Sequence, residues 1–147
     1  MKHATLEDFV TIRRLFSAHP KIFPYMRNDT LREKIEGVGG SVIFEDNVVI
    51  IYLRYRKNCR LGTAKAYMGD VVIHELVKDD RGNAKDVVER FFEYVDSPVW
   101  TTVRRDNIRA KRFYEKVGMQ KVGEIFWKRG ELEGDVYKTD SLEKFLA

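Results

Sequence analysis

Apolar positions along the 147-residue chain switch between helical and strand spacing, and the switches predict the elements in order. Lys2 to Ala4 predicts a short strand. Thr5 and Asp8 then form a capping box, and Phe9, Ile12 and Phe16 follow at three- and four-residue steps, predicting a helix through Ser17. Pro20 and Pro24 impose a loop, after which Thr30 and Glu33 read as a second capping box for a helix carrying Leu31, Ile35 and Val38 and ending at Gly39-Gly40. Residues 41–44 and 48–55, β-branched and aromatic around Glu45-Asp46-Asn47, predict a hairpin. Residues 57–65 read as a polar loop and 66–77 as a longer strand. Val87, Val88, Phe91, Phe92 and Val95 make a wide apolar stripe on the next helix. Pro98 opens a strand through Val103, a further helix follows that Gly118 stops, and residues 121–128 and 133–139 predict a closing hairpin around Arg129-Gly130. With no repeat and no long linker, the chain is expected to form one domain over 1–147.

Residues 103–119 are the most informative stretch. Asn107, Ala110, Phe113, Tyr114 and Val117 share one helix face, Arg105, Arg109, Lys111, Arg112 and Glu115 mostly look elsewhere, and Asp106 or Asn107 is placed to cap the start. This segment resembles the N-x-x-A-x-x-F-Y-x-K-x-G-F motif of the GCN5-related N-acetyltransferases, with Met119 in place of the final phenylalanine. Ile73-His74-Glu75-Leu76-Val77-Lys78-Asp79-Asp80-Arg81-Gly82-Asn83-Ala84-Lys85-Asp86 resembles the same family's fourth strand and diphosphate loop, V-x-P-x-x-R-G-x-G-x-G/A. Arg81-Gly82 matches best. Lys78 replaces the proline, Ala84 the second glycine, and Asp86 the last glycine or alanine. Gly134-Asp135-Val136-Tyr137 resembles the family's D-x-Y terminal strand. The resemblance implies an α/β (α+β) fold with a mixed, mostly antiparallel central sheet of about six or seven strands and about four helices.

What the family does then becomes the expectation for this chain: transfer of an acetyl group from acetyl-coenzyme A to a primary amine, by direct attack and with no metal. Leu76, Val77, Lys78, Arg81, Gly82, Asn83, Ala84, Lys85 and Asp86 are the implied cofactor-binding residues, because N–H groups at a helix start, reinforced by its dipole, hold a diphosphate. On the later helix, Asn107 is implied to hydrogen-bond the pantetheine arm, with Ala110 and Phe113 beside it, and Tyr114 to protonate the departing thiolate. A lysine-like amine has a pKa of about 10.4, so a base is required. Asp70, standing where several members carry a glutamate or histidine base, is the first choice; His74 shares its strand parity, whereas Glu75 is expected on the opposite face unless a bulge re-aims it. Oxyanion donors are expected around the backbone of His74 and Leu76. The departures carry consequences of their own. A left-handed Ala84 would cost about 1–2 kcal/mol. Asp86 would bring a negative charge to the phosphates, and with Asn83 as N-cap it stands at the capping-box position, where it competes for the same donors. Phe23, Tyr25, Phe126, Trp127 and Tyr137 are aromatics that either shape the acceptor pocket or belong to the core. Thr102 stands where some members that modify peptide N-termini carry a glutamate.

Composition narrows the setting. The longest aliphatic run, Val48 to Leu53, is too short to cross a bilayer, and the N-terminus lacks the apolar segment of a signal peptide, so a cytoplasmic protein is expected. The lone Cys59, between Asn58 and Arg60, forms no internal disulfide. The balance of 27 basic to 23 acidic residues gives a net charge of +4. The basic clusters suit a phosphorylated cofactor, and they leave two other readings open. One is a non-catalytic binding protein of the same fold, marked by Ala84 and Asp86. The other is a nucleic-acid-binding α/β domain using Arg54, Arg56, Arg60, Arg104 and Arg105, with Tyr52 and Tyr55 stacking on bases. A small-molecule or protein amine is the expected acceptor, and a homodimer is compatible with the pattern.

Overall fold

The computed structural model describes residues 1–19, 27–38 and 40–139. Phe23 and Tyr25 lie outside them. Among the described residues there are four α-helices, α1 (Phe9–Ser17), α2 (Asn28–Ile35), α3 (Ala84–Val95) and α4 (Ile108–Lys116), with eight strands, β1 (Ser41–Glu45), β2 (Val48–Arg54), β3 (Cys59–Leu61), β4 (Ala64–Ala66), β5 (Val71–Lys78), β6 (Val99–Arg104), β7 (Met119–Trp127) and β8 (Leu132–Thr139). Six strands form one sheet in the order β1-β2-β5-β6-β8-β7, and β3 and β4 form a separate two-stranded sheet. The pairs β1/β2, β6/β8 and β7/β8 are antiparallel, whereas β5 and β6, joined in the chain by α3, are parallel. The expected mixed, mostly antiparallel sheet with four helices is therefore present.

Contacts divide the chain into two compact units, Met1–Leu53 with His74–Phe91 and Arg54–Ile73 with Phe92–Ala147. In the first, Asp46 and Asn47 both take positive φ, 49° and 62°, the geometry that a two-residue hairpin turn between β1 and β2 demands. Val49 and Ile51 of β2 and Val77 of β5 join Ile12, Phe16 and Leu31 in one core cluster. Tyr52, of opposite parity on β2, meets the Phe91 ring edge-on at 5.0 Å. In the second unit the buried residues include Trp100, Val103, Tyr114, Val117, Met119, Val136 and Tyr137.

Several expectations are corrected. Residues 2–4 contribute a single bridge, His3 to Ile43, rather than a strand. The second helix starts at Asn28, two residues before Thr30, with Arg27 as its N-cap, and Asp29 in its first turn accepts the Thr30 N–H at 2.8 Å. The polar loop 57–65 contains the β3–β4 hairpin, turned by Gly62 at φ +62° and fastened to β7 by Thr63, whose N–H donates to the Glu124 carbonyl at 2.8 Å. The long strand 66–77 is broken at Gly69-Asp70, where φ of +94° at Gly69 ends one extended segment before β5 begins.

Candidate functional site

In the second unit, β5 and β6 pair only through Val71↔Val99, Val72↔Trp100 and Ile73↔Thr101. The Thr101 hydroxyl donates to the Ile73 carbonyl at 3.1 Å, closing the ladder with a side chain. Beyond that point β5 runs on through Lys78 without a partner in this ladder. Among the described residues no strand pairs with that stretch in place of β6, so its backbone groups there suit another extended group.

The rest of β5 belongs to the first unit. His74 is exposed, Glu75 and Leu76 are half-buried and Val77 is buried. Glu75 shares parity with Val77, which packs in the cluster holding Ile12, Phe16 and Leu31, so it points to the α1/α2 face, where Lys34 of α2 stands. Burial drives its carboxyl up to about 7, with the Lys34 charge pulling it partly back. Desolvation of its charged form, and then the Lys34 charge, lower the imidazole of His74. Glu75, expected on the face opposite Asp70 and His74, is the carboxyl that burial brings near neutrality.

After β5 the chain turns through Asp79–Asn83 into α3. Asp79 Oδ1 accepts the N–H groups of Arg81 at 2.8 Å and Gly82 at 3.1 Å. Asn83 Oδ1 accepts the Asp86 N–H at 3.1 Å, the N-cap role expected of it. The Asp86 carboxylate turns instead to Arg90, at 2.9 Å, and Arg90 also holds Glu45 at 2.6 Å and Asp46 at 2.7 Å. Asp86 is therefore not the competitor for the turn's donors; Asp79 is. Ala84 is likewise corrected: it is the first helical residue and is absent from the positive-φ positions, so no left-handed cost arises. Gly82 is required for packing, since a Cβ there would meet the Asn47 carbonyl at 2.9 Å. The N–H groups of Asn83, Ala84 and Lys85 remain, which no carbonyl of α3 can reach. The Arg81 side chain is 84% exposed, 3.8 Å from Asp79, and Lys85 pairs with Glu89 at 2.8 Å. An Asp-x-x-Gly run is a turn signature, so Asp79 was findable from the sequence.

Asp70 does not stand on a strand. It precedes β5, is 6% exposed, and its Oδ2 accepts the Trp100 indole N–H and the Tyr67 N–H, each at 2.9 Å. That is the geometry of a buried bracket, with the carboxylate engaged in holding Tyr67 and Trp100.

On α4, Asn107 is the N-cap, its Oδ1 accepting the Ala110 N–H at 3.2 Å. The cap thus engages the side-chain oxygen of the residue expected to hydrogen-bond a pantetheine arm. Ala110 and Phe113 are half-buried, and the Phe113 ring meets Tyr114 edge-on at 5.4 Å. Tyr114 is the one buried residue of α4, and its ring lies 6.4 Å from that of Tyr137. Asp135, 1% exposed, is ringed by Lys111 at 2.9 Å, Lys121 at 3.3 Å and Arg105 at 3.4 Å. Burial pushes its carboxyl up, and the bonds from Lys111 and Lys121 more than reverse this, leaving it below the ordinary range.

One parallel pair in a mostly antiparallel sheet, with its ladder ending after three residue pairs, is the mark of this α/β architecture. More particularly, the fold is that of the GCN5-related N-acetyltransferase (GNAT) superfamily. At the sequence level no protein-family model and no curated protein matches the chain. Among solved structures, it superposes on a spermidine N-acetyltransferase SpeG chimera from Vibrio cholerae and hSSAT with a TM-score of 0.67 at 15% identity, covering 99% of this chain and 96% of that one. Arabidopsis thaliana NAA60 in complex with acetyl-CoA gives 0.65 at 17% identity, with 95% and 98% covered. A GNAT-family acetyltransferase from Bacillus cereus gives 0.64 at 11% identity, with 96% of each chain covered. These likenesses concern the fold.

Proposed function

We propose that this protein is an acetyl-CoA-dependent N-acetyltransferase acting on a primary amine. The observation that carries the reading is the β5/β6 ladder that stops after Ile73↔Thr101, which leaves the β5 edge from His74 to Lys78 able to hydrogen-bond an extended pantetheine arm. The residues beyond that edge fit the cofactor's other end. The Asn83, Ala84 and Lys85 N–H groups would take the diphosphate at the start of α3, with the exposed Arg81 guanidinium nearby in sequence. Acetyl-CoA, when bound, supplies an activated thioester carbonyl. Glu75, held near neutrality, takes a proton from the incoming ammonium, through a water where the reach requires it. The β5 N–H groups past Ile73 stabilise the oxyanion as the amine attacks, and Tyr114 returns a proton to the thiolate as it leaves.

Two of the five arginines named for nucleic-acid binding, Arg54 and Arg105, weigh against that reading. Arg54 donates to the Gly69 carbonyl at 2.7 Å, the Ser97 hydroxyl at 2.9 Å and the Val95 carbonyl at 3.2 Å, and Arg105 is committed to Glu133 and Asp135. Asp79, by filling two N–H groups of the turn, favours the non-catalytic alternative, and calorimetry decides between them. Acetyl-CoA should bind saturably, and a panel of polyamines, amino-terminal peptides and lysine peptides should release free thiol with at least one member. No heat and no thermal shift at millimolar acetyl-CoA would overturn the reading.

A further inference from the structure

α4 is only nine residues long, and Tyr114 is its single buried residue, so apolar packing alone leaves its rotation about its own axis weakly fixed. Two polar rungs tie it to β8. Lys111 Nζ lies 2.9 Å from Asp135 Oδ2, and the Tyr137 hydroxyl donates to Glu115 Oε1 at 3.1 Å. Lys111 and Glu115 are four residues apart on the helix, with Tyr114 beside them; Asp135 and Tyr137 are two apart on the strand, hence on one face. The Lys111 ammonium also lies 3.5 Å from the Arg105 carbonyl, and Asp135 keeps Arg105 and Lys121 on its other oxygen. Both strand residues are 1% exposed, so water competes little for either rung.

We infer that the Lys111–Asp135 and Glu115–Tyr137 pairs are positioning residues that set the azimuth of α4 and so place the Tyr114 hydroxyl for proton return. The inference rests on the acyl-transfer reading. A tyrosine hydroxyl stands about 8 Å from its helix axis, so a rotation of about 20° carries it about 3 Å, out of hydrogen-bonding reach of a reacting atom. The two rungs lie one helical turn apart on the flank next to Tyr114, and together they resist that rotation.

The Glu115–Tyr137 rung is the one to cut, because Asp135 would keep two other cations and the tyrosine ring can be preserved. Tyr137→Phe and Glu115→Ala should each lower kcat about ten-fold or more while leaving the acetyl-CoA Kd within about two-fold, and Glu115→Gln, whose amide oxygen still accepts from Tyr137, should restore most of the rate. In a Tyr114→Phe background the same two substitutions should cost nothing further; equal losses in both backgrounds would show a general structural effect and overturn the inference. A second measurement needs no turnover. In protein carrying 3-fluorotyrosine, the fluorine resonance of Tyr114, assigned by its loss in Tyr114→Phe, should shift or split on cutting the rung and recover in Glu115→Gln. An unmoved resonance overturns the positioning role. Absence of acetyl transfer by the wild type, with the resonance moving as described, would instead count against the enzyme reading alone.

Discussion

Glu75→Gln is the sharpest perturbation, because the same substitution should damage activity and improve stability. The carboxyl sits near 7 in the fold because burial raises it, against an ordinary 4.5. At roughly 1.4 kcal/mol per pH unit that climb corresponds to about 3 kcal/mol, and about 2 kcal/mol after allowing for the part of the side chain that water reaches. The sign follows from linkage. A carboxyl raised in the folded state favours folding fully below the unfolded value, and that contribution disappears as pH rises through the folded one. Wild type should therefore lose about 2 kcal/mol between pH 4.5 and 8 from this group, and Glu75→Gln should lose none of it. In urea unfolding followed by circular dichroism, the variant should match wild type within experimental scatter near pH 4.5 and exceed it by about 2 kcal/mol at pH 8. In acetyl transfer, wild-type kcat/KM should rise along a limb centred near pH 7, which the variant lacks, with turnover about a hundred-fold or more lower. A stability difference that does not vary with pH would refute the burial argument. An unchanged acid limb in the variant would remove Glu75 as the base.

Other substitutions test neighbouring pieces. Tyr114→Phe should lower kcat with little change in acetyl-CoA affinity; unchanged turnover would remove the hydroxyl from the mechanism. Asp79→Asn keeps an oxygen for the Arg81 and Gly82 N–H groups but removes a charge beside the proposed diphosphate site, so calorimetry at low salt should give roughly five-fold tighter acetyl-CoA binding, fading as salt is added. Weaker binding would mean that the full carboxylate is needed to shape the turn. Gly62→Ala forces a side chain at φ +62° to within 2.0 Å of the Glu124 carbonyl, and thermal unfolding should report a loss of about 2–4 kcal/mol.

The sequence conveyed what is local and periodic. The apolar stripes of α1, α3 and α4, the Asp46-Asn47 turn and the Asn83 and Asn107 caps depend on neighbours within a few residues, and spacing alone located them. Contacts between distant segments were invisible. Asp70 looked like a candidate base because nothing in its neighbourhood announces Trp100, thirty residues away, whose indole it accepts. Asp86 reads locally as a competitor for phosphate because its partner Arg90 is fixed by the Glu45-Asp46 turn, about forty residues away in the chain. Glu75 was set on the far face by strand parity, correctly as to geometry. Its significance emerged only when that face proved to carry α2, with Lys34 and a surface that excludes water. Reading 57–65 as loop missed β3 and β4 because three-residue strands around a glycine give no usable alternation.

The central claim is that β5 beyond Ile73 offers its backbone to a strand-like cofactor whose diphosphate rests on the first N–H groups of α3. Amide hydrogen exchange followed by NMR, with and without saturating acetyl-CoA, reads those groups one at a time. The account expects strong new protection within His74–Lys78 and at Asn83, Ala84 and Lys85, with Val71–Ile73 already slow in the absence of cofactor. Acetyl-CoA that binds but leaves those amides exchanging as before would contradict it.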